Sequence, residues 1–176
     1  MRFNVSGLVQ EGIGATRHYE VEGAIERDGQ EPERVEGDVE FVRTKMGVLV
    51  RAHLTLVEPE VCSRCLKPLE ETIHIDFEDE FQATVDGRTG SPVRESSDPD
   101  AFLIDEFHIL DLTEAVRQYR EVSLLMQPVC RDDCKGLCPR CGQDLNTGSC
   151  DCDSGATDSR WSGLAALRGA ALEGME

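Results

Sequence analysis

Apolar and polar residues alternate along much of the first half of the chain. In residues 47–57 (GVLVRAHLTLV) the side chains of Val48, Val50, Ala52, Leu54 and Leu56 share one face of a period-two pattern, the mark of a half-buried strand. Residues 72–85 repeat the pattern, with Ile73, Ile75, Phe77, Phe81, Ala83 and Val85 on one face and Thr72, His74, Asp76, Glu78, Glu80, Gln82 and Thr84 on the other. Asp79 interrupts the inner row, which predicts a bulge or an approaching edge there. Residues 17–25 and 36–42 read as shorter strands separated by the polar turn RDGQEPER. Together these segments predict an antiparallel sheet with one wet face.

Residues 86–100 (DGRTGSPVRESSDPD) are rich in Gly, Ser, Pro and Asp and predict a mobile loop. The period then changes. From Asp111 onward Leu112, Ala115, Val116, Tyr119, Val122 and Met126 follow helical spacing, Asp111 and Glu114 have the spacing of a capping box, and Pro128 follows the end. A second helix is predicted in DSRWSGLAALRGAAL, where Trp161, Leu164, Ala165, Leu167, Ala171 and Leu172 can cluster and dock on the body. The fold class is therefore α+β: an antiparallel β-rich body with one main amphipathic helix, a zinc-knuckle segment and a C-terminal helix. Its domain organisation is a body over residues 1–127, a cysteine-rich segment over 128–153 and a helical tail over 154–176.

Charge narrows the choice of partners. The formal net charge is −17, and between Glu70 and Asp111 thirteen acidic residues face two basic ones. A body this acidic repels nucleic acid over most of its surface and suits a basic partner. No apolar run is long enough to span a bilayer, and the first residues lack the apolar core of a signal peptide, so the expected compartment is the cytoplasm. His18, His53, His74 and His108 are dispersed, and no phosphate loop, nucleophile elbow or HExxH motif is present. Nothing in the sequence argues for an enzyme.

The eight cysteines fall into four pairs: Cys62/Cys65, Cys130/Cys134, Cys138/Cys141 and Cys150/Cys152. In a reducing compartment paired cysteines point to metal rather than to disulfides, and two intervening residues let one tight turn aim both sulfurs at a single ion. CPRCG has this form with the glycine that relieves the turn; CSRCL has the spacing without it. Four pairs make two four-thiol sites, which predicts about two Zn2+ ions per chain. The favoured partition joins Cys138/Cys141 to Cys150/Cys152 across the turn-forming GQDLNTGS and leaves Cys62/Cys65 with Cys130/Cys134. The alternative is a cross-braced arrangement of alternate pairs. Arg64, Lys67, Arg131, Lys135 and Arg140 lie among the ligands, either as donors to sulfur or, if RNA is touched anywhere, as its contacts.

The CSRCL knuckle, the helix LTEAVRQYREVSLLMQPVC, the run CRDDCKGLCPRCGQDLNTGSCDC and the closing DSRWSGLAALRGAAL together resemble the bacterial YceD family, the large ribosomal RNA subunit accumulation proteins. The resemblance extends from about Phe3 to Leu172. It implies a cytoplasmic, non-enzymatic factor for accumulation of large-subunit (23S) ribosomal RNA, and so for ribosome biogenesis and assembly of that subunit. It also implies a basic large-subunit ribosomal protein, or a precursor particle containing one, as partner. Two other classes stand beside it. One is a zinc-dependent RNA-binding module; the other is a thiol redox or metal-handling protein.

Overall fold

The apolar row of residues 47–57 is the centre of the observed fold. The computed structural model describes residues 1–25, 32–93 and 99–152. It divides into two compact units, Met1–Cys62 with Lys67–Cys130 and Ser63–Leu66 with Arg131–Glu176, the second described as far as residue 152. The predicted C-terminal helix and most of the predicted turn after residue 25 lie outside the described residues.

Unit one is mostly β. Its strands are β1 (Arg2–Asn4), β2 (Thr16–Ile25), β3 (Glu33–Arg43), β4 (Gly47–Val61), β5 (Pro68–Ala83), β6 (Leu103–Ile104) and β7 (Ile109–Asp111). They form one sheet in the order β1-β7-β6-β5-β4-β3-β2, antiparallel except for the parallel pair β5 and β6. Val48, Val50, Ala52, Leu54 and Leu56 are at most 2% exposed, and Val35, Val39, Phe41, Ile73, Ile75 and Phe81 complete the same inner face. Burial of each of the larger side chains among them contributes about 1.5–3 kcal/mol. The ends of the sheet approach one another through side chains, with the ring of Phe3 on β1 5.3 Å from Tyr19 on β2 and 5.2 Å from Phe41 on β3.

Helices α1 (Ser6–Gln10) and α2 (Thr113–Ser123) accompany the sheet. Alternation did not predict α1; its five residues bury Leu8 and Val9. In α2 the buried residues are Ala115, Val116 and Arg120, while Val122 is 83% exposed and Met126, beyond the helix end, is 99% exposed. The predicted apolar stripe is thus turned, with a guanidinium at its centre. The predicted capping box does not form: Leu112 is the N-cap without a side-chain bond, Asp111 accepts from the backbone and hydroxyl of Thr113, and Glu114 pairs with Arg117 and Gln118.

No bulge interrupts β5 at Asp79. The ladder runs evenly past it, with Val50 opposite, and its carboxylate instead accepts from the Tyr119 hydroxyl of α2 at 3.1 Å. The Tyr119 ring stacks on Phe77 with centroids 4.5 Å apart. The β3 strand also begins earlier than predicted, taking in Glu33 and Arg34. Glu33 precedes Val35 on the inner row and Glu58 follows Leu56 on the same face of β4; they are 6% and 1% exposed. Both hold Arg120: its Nε donates to Glu33 at 2.9 Å and its Nη2 to Glu58 at 2.6 Å. Burial pushes the Glu33 carboxyl above its ordinary range, against the lowering effect of Arg120.

Candidate metal centre and acidic face

The structure brings the eight thiols into two groups of four. Cys62, Cys65, Cys130 and Cys134 form one and Cys138, Cys141, Cys150 and Cys152 the other; within each, the sulfurs lie within 4.8 Å of one another. This is the favoured partition rather than the cross-braced one. Tetrahedral Zn–S bonds of about 2.3 Å place sulfurs about 3.8 Å apart, so both groups have the donor type and spacing for a tetrathiolate ion. Either group can therefore hold a metal, and an all-thiol donor set of this spacing is compatible with zinc.

The second group is built from local turns. The Cys138 N–H donates to the Gln143 carbonyl at 2.8 Å and the Gly142 N–H to the Cys138 carbonyl at 2.9 Å. Gly142 has φ 74°, the left-handed conformation a residue after such a knuckle must take. Leu137 bridges Asp144, and the Thr147 and Gly148 N–H groups donate to the Asp144 carbonyl, turning the chain back toward Cys150. Backbone N–H groups of Cys141 and Arg140 directed at its sulfur hold the Cys138 thiol down to about 6. Cys152 is pushed up to about 12, chiefly by the Cys141 sulfur and by burial. Cys150 is raised too: the Cys152 N–H lowers it, and Cys138, Cys141 and burial outweigh that. One thiolate forms readily and each further one is opposed by the charge already present. A central dication removes that opposition.

In the first group Cys62, Cys65 and Cys134 are buried and Cys130 is exposed. Its knuckle closes through the Cys62 N–H donating to the Lys67 carbonyl at 2.9 Å. Leu66, at φ 58°, occupies the conformation that Gly142 occupies in the other knuckle. Asn146, read from the sequence only as turn-forming, gathers several groups in unit two. Its Oδ1 accepts from the Lys135 backbone and from Arg131, and its Nδ2 lies 3.5 Å from the Cys134 sulfur.

The basic side chains divide. Arg64 donates from Nη1 to the carbonyls of Asp132 and Cys134, both at 3.0 Å, and Arg131 pairs with Asp133 at 3.1 Å as well as with Asn146. These two fasten backbone and turn rather than sulfur. Lys67, Lys135 and Arg140 are exposed, and the Arg140 backbone N–H is directed at the Cys138 sulfur.

The outer face of the long strands is acidic. Glu20 and Glu22 of β2, Glu36 and Asp38 of β3, and Asp76 and Glu78 of β5 are all exposed on it. Arg51 offsets part of this charge, bonding Glu78 at 2.5 Å and Glu40 at 3.2 Å. His53 lies 2.7 Å from Asp76, and His18 lies 3.4 Å from Glu40. The four histidines do not gather into a cluster with one another or with the thiols.

With this geometry in view, comparison with known proteins is decisive at the level of family. Residues 50–168 match the family described as large ribosomal RNA subunit accumulation protein YceD. The chain belongs to the YceD family. An uncharacterized protein of Mycobacterium tuberculosis is 34% identical over 110 residues, covering 61% of this chain and 50% of that one. A chloroplastic YCED homolog 1 of Zea mays, named as a large ribosomal RNA subunit accumulation protein, is 29% identical over 133 residues, 62% of this chain and 44% of that one. Its Arabidopsis thaliana counterpart is 30% identical over 59 residues, 34% of this chain and 18% of that one. The chain spans about half the length of the mycobacterial relative it matches. No solved structure matches the chain. Among the described residues, no helix is long and apolar enough to cross a membrane.

Proposed function

We propose that this YceD-family chain is a non-enzymatic, zinc-stabilised cytoplasmic factor that supports accumulation of large-subunit ribosomal RNA and assembly of that subunit. It acts by engaging a basic ribosomal protein or a precursor particle that displays one. The observation that carries the mode of action is the outer face of the sheet, where Glu20, Glu22, Glu36, Asp38, Asp76 and Glu78 stand exposed on a chain of net charge −17. Complementary charge gives such a surface fast, salt-sensitive association with a cationic partner. The ions serve structure: tetrathiolate sites are closed, leaving no open coordination position for chemistry.

The test is purification of the native protein from its own cells at low and moderate salt, with co-purifying RNA sequenced and proteins identified. Large-subunit precursor RNA with basic ribosomal proteins, released as salt rises, is the expected result. Recovery of no ribosomal component at either salt would withdraw the reading. RNA retained after the proteins are stripped, and lost on charge reversal of Lys67, Lys135 and Arg140, would move the activity to the zinc end.

A further inference from the structure

Where β2 runs beside β3, like charges stand opposite one another. Glu20 faces Asp38 and Glu22 faces Glu36, with Val21 opposite Gly37 between them. Opposed carboxylates destabilise a sheet unless something positive lies over them. Arg34 comes within 3.7 Å of both Glu22 and Glu36. Among the described residues, no cation stands within ion-pair distance of Glu20 or Asp38. Gly37 sits at φ 148°, and a Cβ there would fall 2.2 Å from the His53 carbonyl oxygen of β4. Beside Gly37 lies a hollow of about 400 Å³ lined by Glu20, Glu22, Glu36, Asp38 and Thr55.

The same strand ends the sheet. β2 has ten residues, and among the described residues no strand bonds to its far side. β1, at the other end, approaches it through Phe3 against Tyr19 and Met1 against Gly23, on the inner row. A strand whose far side has no bonded strand among the described residues offers a ladder of backbone donors and acceptors.

We propose that the β2 edge takes up an extended polypeptide segment rich in lysine and arginine as an added strand, its basic side chains at alternate positions lying over Glu20 and Glu22. The two observations fix different properties of the occupant. The open ladder selects an extended backbone, and the opposed carboxylates select positive charge at period two. A second copy of this chain is a poor occupant, because edge-to-edge pairing would set the Glu20 and Glu22 rows of both copies side by side. The inference rests on the acidic-face reading for the sign of the partner's charge and adds the place and mode of binding.

The test uses the full chain and two labelled peptides of equal charge, each alternating lysine with threonine or valine. One of them is N-methylated at alternate backbone nitrogens, which removes strand pairing and keeps the charge. The plain peptide should bind at least about tenfold more tightly than its methylated twin, since several ladder bonds are lost at once. Amide exchange in β2 should slow on binding. The variant Glu20→Gln, Glu22→Gln, Asp38→Asn should bind the plain peptide about tenfold more weakly and with a flatter salt dependence. These exposed positions leave the core intact. Equal binding of both peptides, unchanged binding by the variant, or dimerisation of the chain through β2 would overturn the proposal. Equal binding that still falls with salt would leave the acidic face standing as the partner surface. Methylation-sensitive binding alongside a purification that yields no ribosomal component would remove the ribosomal reading and keep the edge.

Discussion

Unit one buries aliphatic and aromatic rows on β4 and on the strands either side of it, whereas in unit two every buried hydrophobic side chain among the described residues is a cysteine: Cys65, Cys134 and Cys138. The first unit is therefore stabilised as ordinary sheets are, by removing hydrocarbon from water. The second has turns, backbone bonds and thiols, and its ordering must come from whatever the thiols bind. One chain thus joins two kinds of folding energetics. An agent that destroys one unit should leave the other recognisable.

The largest effect expected from this difference is on the ions. Cys138→Ser with Cys141→Ser should lower zinc content from about two per chain to about one and abolish amide-exchange protection around residues 136–148. Structural zinc in small modules is worth about 10–16 kcal/mol, far more than those turns supply. The β signal of unit one should persist in circular dichroism. A parallel collapse of the sheet would break the comparison.

Next in size is Arg120→Met. Removing the guanidinium leaves Glu33 and Glu58 buried without it, and unit one should lose about 3–5 kcal/mol in urea unfolding with its metal content unchanged. Replacing all three residues by apolar ones should recover much of that loss. A change below about 1 kcal/mol in the single variant would show that the triad is solvated.

The two knuckles provide a smaller and sharper contrast. Gly142→Ala should weaken zinc retention by about 1 kcal/mol, because a side chain is placed in the left-handed region. Leu66→Gly should strengthen it by up to about 1 kcal/mol, since it relieves that cost at φ 58°. Equal effects of the same sign would mean that the ions, not the backbone, set both knuckles.

The smallest effect is one of pH. A carboxyl whose folded pKa is raised stabilises the fold fully below its ordinary value of 4.5 and loses that contribution as pH rises through the folded value. Glu33→Gln should match the parent at acid pH and gain on it as pH rises, read from urea midpoints across the range. A gap of the opposite sign would place Glu33 below its ordinary value.

Much of this architecture was legible where one physical signal dominated. The row Val48 to Leu56 needed only alternation, and joining Cys138/Cys141 to Cys150/Cys152 needed only the short turn between them. Apolar alternation does not reveal Glu33 and Glu58, because they are charged, although each continues an inner row by one period-two step, and Arg120 falls between Val116 and the helix end on the buried side of α2. An acid on two inner rows and a base on the facing helix stripe are the sequence signal of such a buried triad. The short elements β1, β6, β7 and α1 carry too few residues for a period to show, and the partner of β1 lies more than a hundred residues off in sequence, at β7.

The pairing of β1 with β7, Arg2 opposite Asp111 and Asn4 opposite Ile109, has a consequence for how the chain acquires its structure. A polypeptide made from its N-terminus emits β1 before the other strands of this sheet and its partner β7 only after most of unit one has emerged. The hairpins β2 to β5 can zip as they appear, each strand meeting its neighbour in turn. β1 must wait, so the last seam of the sheet to close is the one whose first half emerges ahead of every other strand of the sheet, and closing that long loop should limit the folding rate of the whole unit.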